Sequence, residues 1–144
     1  MTHLLAGLSG TAPALTTLRL GLHVLAATVW VGGQIVMFGL LPVARSAGGD
    51  LPKQLARAFA RMAWPAYALL VVTGLWNIST FTFAHQSAAW KAVLMVKIAV
   101  VALAGVATWL HGRATSRRSL AVWGSIAGTA SIVALFMGVV LAGP

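Results

Sequence analysis

Between Leu15 and Leu41 the sequence stays apolar over a long stretch, with Arg19 and His23 as its only ionisable side chains. At about 1.5 Å per residue, such a run is long enough to cross the roughly 30 Å of hydrocarbon in a bilayer. Three further apolar segments follow, and the chain divides into spans at 16–41, 58–80, 88–110 and 120–142. Pro42, the Gly48-Gly49-Asp50-Leu51-Pro52 stretch and Gly112 read as helix stops. Connections this short make consecutive helices antiparallel neighbours. The expected fold is all-α, an integral membrane, up-down four-helix bundle in which 1–144 forms a single domain.

With 60% of the chain hydrophobic and 8% charged, a soluble domain of 144 residues has too little polar surface to cover itself. The lipid bilayer is therefore the expected partner. Ten Lys or Arg stand against one acid, Asp50. In a soluble protein that excess suggests nucleic acid, but here the cations gather at span ends, which is a topology signal; no nucleic acid is expected. Arg45, Lys53, Arg57 and Arg61 lie around the first connection, and Arg113, Arg117 and Arg118 around the third. The positive-inside rule makes 42–57 and 111–119 cytoplasmic loops and puts both termini outside a bacterial-type inner (plasma) membrane. The first eighteen residues lack a basic signal-peptide start and read as a non-cytoplasmic lead-in. Trp64, Trp76, Trp90, Trp109 and Trp123 fall toward span ends, where indoles anchor at the headgroup boundary. Gly124-x-x-x-Gly128 in the fourth span is a small-residue packing pattern, serving either the bundle or a homodimer.

The absence of cysteine excludes disulfides, thiolate metal sites and thiol chemistry. No phosphate loop, paired carboxylate, Ser/His/Asp set or HExxH motif is present, so hydrolytic and nucleotide-driven reactions are not expected. The chain reads as a non-enzyme; the catalytic alternative is a haem-dependent oxidoreductase.

The polar residues within the spans share a depth. His23 and Lys97 each lie about seven residues from the outer ends of the first and third spans, or roughly 10 Å deep. Thr73, Trp76 and Asn77 of the second span and Met137 of the fourth fall in the same third of the bundle, and Arg19 stacks one turn above His23. A lysine at that depth either snorkels or faces the interior, where the chain offers no acid to pair with it and an anionic ligand is invited. His23 is either a hydrogen-bonded core histidine or a ligand to copper or to haem iron. Copper would draw on Met137 or Met95, although Met95 and Lys97 point about 200° apart and cannot both face one cavity. His3 and His85 belong to the outer side, as solvated residues or as first contacts for a metal ion. His111 reads as a helix-terminus residue.

The run Leu22–Gly33, in which His23 is followed seven residues later by Trp30 and then by Gly32-Gly33, resembles the first-helix signature of the copper-resistance CopD family. The likeness continues at Arg57–Trp76, through Thr73-Gly74-Leu75, and at Met95–Ala99 around Lys97. What it implies is a four-helix membrane protein that handles copper, in binding, transport or resistance; the metal ligands this chain offers at the right depth are His23, Met137 and Met95. A periplasmic or extracellular metal carrier, or a redox partner, would exchange with it. The chain is also similar to HemJ-type protoporphyrinogen oxidases, which have a first-helix His, a third-helix Lys and haem b. His23 and Lys97 are the matching positions, with Arg19 and Trp30 completing the implied cofactor surroundings. The fourth span lacks the Asn-Glu-Val-Pro element of that enzyme. The third expectation is a structural accessory subunit of a larger membrane complex, whose polar residues hold helices together.

Overall fold

The computed structural model describes residues 13–143. Four helices, each long and apolar enough to cross a membrane, make up nearly all of it: α1 (Ala14–Ala47), α2 (Leu51–Ser79), α3 (Ala88–Arg113) and α4 (Arg117–Ala142). A single 3₁₀ turn at Phe83–His85 lies between α2 and α3, and there is no strand among the described residues. The expected all-α four-helix architecture is observed. α1 packs along α2, α3 packs along α4, and the two hairpins meet most closely at the middle of α1. One end of the bundle carries the α2–α3 connection and both ends of the described chain; this is the terminal end. The other carries the tight α1–α2 and α3–α4 turns and is the hairpin end.

The helices run further than their apolar stretches. α1 passes through Pro42 to Ala47, and α2 begins at Leu51, so the expected 42–57 loop shrinks to Gly48-Gly49-Asp50. Proline removes only its own N–H and the bond to the carbonyl four residues back, so a helix already established on both sides continues through it. The turn itself depends on glycine: Gly48 and Gly49 have φ of 79° and 60°, where a Cβ is disfavoured. Similarly, α3 continues through Gly112 to Arg113, and the expected 111–119 loop reduces to 114–116. Ser87 and Ser116 start α3 and α4 by accepting hydrogen bonds from the N–H groups of Trp90 and Ser119.

Midway along α1, Thr28–Gly32 winds as a π-helix. The wider turn lets two consecutive residues, Trp30 and Val31, face the interior, at 3% and 7% exposure. They pack on Ala63 with Phe59, Tyr67 and Leu70 alongside. Trp30 lies 4.7 Å from Tyr67 and 6.2 Å from Trp64, centroid to centroid, and the Phe59 ring occupies the space that a side chain on Gly33 would need. Trp64 therefore has one edge in the aromatic core as well as an exposed face.

Hydrogen bonds join the hairpins at this level. The Trp30 Nε1–H donates to Ser131 Oγ at 2.9 Å, and Gln34 Nε2 donates to the same oxygen at 3.1 Å. On the other side of the core, the Tyr67 hydroxyl donates to the Val101 carbonyl at 2.9 Å, with its ring over Gly105. At the hairpin end, His111 Nδ1–H donates to the Leu120 carbonyl at 2.9 Å, and the imidazole lies against Gly124. Gly124 of the small-residue pattern thus accommodates a neighbour inside the bundle.

Candidate ligand site

On α1, Arg19 and His23 are four residues apart and share a face; on α2, Thr73 and Asn77 do the same. The two helices bring these faces together. His23 Nδ1 lies 2.8 Å from Thr73 Oγ1, and Thr73 is 1% exposed. The direction of that bond follows from the hydroxyl's other partner. Thr73 Oγ1 is 2.6 Å from the Leu69 carbonyl, which accepts and cannot donate, so the hydroxyl proton is committed there. The Thr73 oxygen must accept from His23, which fixes the proton of a neutral ring on Nδ1 and leaves Nε2 with a free lone pair. An imidazole oriented through its other nitrogen is the usual arrangement of a metal-binding histidine.

Lys97 approaches the same stratum from α3. Its ammonium rests against Gly138 of α4, where an added Cβ would lie 3.0 Å from Nζ. The α1–α4 contact of Trp30 with Ser131 sets the height: seven residues outward along each helix, His23 comes level with Gly138 and hence with Lys97. Both side chains are half-buried. The chain's one acidic side chain, Asp50, is 3.2 Å from Lys53 at the hairpin end and does not serve Lys97. One turn toward the terminal end from the His23–Thr73 pair, Arg19 Nε and Asn77 Oδ1 are buried without a hydrogen-bond partner among the described residues. The site thus offers one aromatic nitrogen lone pair, two cations and an amide oxygen.

The other anticipated ligands are distributed differently. Met137 is half-buried, beside Gly138 at the level of His23. Met95 is 65% exposed on the outer surface of α3, as expected when Lys97 turns inward. Trp30 lies two turns deeper than His23 and is bonded to Ser131, so its indole N–H is already used within the core. His85 is exposed in the 3₁₀ turn, His111 is engaged with Leu120, and His3 lies outside the described residues. Among the described residues no three His, Asp or Glu side chains come together as a metal cluster.

Sequence reading named Thr73 only as a polar residue at the right depth and gave Gly138 no role in the site. The His23–Thr73 link joins residues 50 apart, and only the hairpin register discloses it. The sequence reading gave Gln34 no role, although it follows Trp30 by one helical turn and is a polar amide inside an apolar run, and it took Ser131 only as one of the small packing residues of the fourth span. No family model, curated protein or solved structure matches the chain.

Proposed function

We propose that this multi-pass membrane protein binds haem b in the terminal half of its bundle, where His23 Nε2 is the nitrogen that would hold the iron. The observation that carries this reading is the His23 ring, held through Nδ1 by Thr73 with Nε2 left free, at the level of the Lys97 ammonium. The donor set fits haem. One imidazole would be enough to hold the iron, and Lys97 and Arg19, which have no acidic side chain beside them, would hold the two propionates. The orphaned Arg19 Nε supplies a donor in the same region. Bound haem would supply a one-electron iron couple, tuned by its axial ligand and the burial of its surroundings. The chain's own part is to orient the imidazole and neutralise the carboxylates.

Copper, in the CopD-like role, is the second reading, favoured by Met137 lying half-buried at the level of His23. It is weaker because Met95 faces outward and a fixed ammonium nearby opposes a cation. In either role the basic connections face the cytoplasm, the site opens toward the outside of the plasma membrane, and a carrier or redox partner exchanges with it there. The test is an absorption spectrum with metal analysis on gently solubilised protein. A Soret band lost in His23→Ala supports haem. Stoichiometric copper without that band, lost in the same variant, supports copper. If neither group co-purifies and reconstitution shows no dependence on His23, both readings fail, and a structural accessory role is what remains.

A further inference from the structure

We infer that Arg57 and Arg61 on α2 form a binding site for the phosphate of an anionic membrane phospholipid at the hairpin end. Together with Gln54 and Ala58 they line an open cavity of about 350 Å³. The spacing 54, 57, 58, 61 keeps all four residues on one face of the helix. Both arginines are exposed and neither makes an ion pair among the described residues. The sequence's sole acidic side chain, Asp50, is paired with Lys53. An anion that pairs with the two arginines would therefore come from outside the protein.

Their height selects the source. At helical rise Arg61 stands about 27 Å along α2 from Ser79, close to one hydrocarbon thickness of about 30 Å. Helical side chains lean toward the N-terminus, which on α2 is the hairpin end, so both guanidinium groups extend from the acyl boundary toward the headgroups. Trp64, 39% exposed and one turn deeper, has the position of an interfacial indole beneath them. A guanidinium presents a planar fork that grips phosphate through two parallel N–H···O bonds, and two such forks one turn apart border a single concavity. Phospholipid phosphates are the anions concentrated at that depth, and an anionic headgroup is favoured by the unopposed charge.

Native mass spectrometry of the full chain, titrated with dioleoylphosphatidylglycerol or dioleoylphosphatidylcholine, tests this. The wild-type protein should retain the anionic lipid roughly thirtyfold more strongly than the zwitterionic one, the order expected of two cations at a membrane surface. Arg57→Gln/Arg61→Gln should bring that ratio near one, while Arg117→Gln/Arg118→Gln, with the same charge removed, should leave it in place. If the glutamine pair does not fold, Arg57→Lys/Arg61→Lys keeps the charge and loses the fork, and should lower the retention of both phosphate-bearing lipids severalfold while leaving their ratio in place. Equal retention of the two lipids, equal loss in both glutamine pairs, or undiminished binding by the lysine pair would each overturn the site. Displacement of the glycerophospholipid by millimolar inorganic phosphate would overturn a lipid as its occupant.

Discussion

Thr73→Val isolates what the threonine hydroxyl contributes to the histidine. Valine has nearly the same shape, so the 1%-exposed position stays filled and no cavity opens. The bond to Leu69 is a minor loss, because that carbonyl retains its place in the helical ladder. The significant loss is the acceptor for His23 Nδ1–H, 2.8 Å away. Side-chain hydrogen bonds between membrane helices average about 0.6 kcal/mol and reach about 1.7. Leaving a donor unpaired in a half-buried position adds to this, giving an expected destabilisation of about 1–2 kcal/mol. The effect on ligand should be larger. Removing the group that orients a ligating histidine typically costs 10- to 100-fold in affinity. The backbone at Gly74 still borders the ring, since a Cβ there would sit 3.6 Å from Cε1, and this holds the loss near the lower figure. Haem titration followed at the Soret band, with denaturant unfolding in the same detergent, reads both quantities; Thr73→Ser should resemble wild type in each. Equal haem affinity in Thr73→Val and wild type, with stability reduced, would show that the hydroxyl serves packing alone and would refute the argument.

Three further perturbations address other parts of the structure. Gly138→Ala introduces a Cβ 3.0 Å from Lys97 Nζ, and the flexible ammonium should move aside with less than about 1 kcal/mol of destabilisation but weaker haem binding, read by the same titration. Trp30→Phe keeps the aromatic packing and deletes the N–H to Ser131, so unfolding should show a loss of about 1 kcal/mol; an unchanged midpoint would count against the hairpin link. Gly124→Ala crowds the His111 ring at 3.1 Å and should lower the unfolding midpoint by an amount corresponding to about 1–3 kcal/mol without altering the sedimentation-derived mass, whereas a change of oligomeric state would place this glycine in a subunit contact.

The four spans were legible because an uninterrupted apolar helix of that length has few alternatives in water or lipid. Their ends were not, since hydropathy falls where charge begins, whereas a helix ends where backbone geometry forces it. Thus Arg57 reads as a loop residue yet lies on α2, and the true break is the left-handed pair Gly48-Gly49. The shared height of His23 and Lys97 followed from counting along antiparallel spans, and the inward turn of Lys97 was reflected in the outward turn of Met95. The identity of the hydrogen-bond partner was hidden, because it depends on which faces two helices turn toward each other. The π segment had no readable cause in Thr28–Gly32.

That segment also governs the phase of α1. A π segment absorbs one residue more than the α-helical turn it replaces, so winding Thr28–Gly32 as plain α-helix with every residue kept would rotate one half of α1 against the other by about 100°. Either Trp30 would leave Ser131 or His23 would swing from Thr73 toward the lipid; the two attachments cannot both survive. The bulge acts as a coupling collar that keys the half of α1 bearing the imidazole to the half bearing the aromatic core.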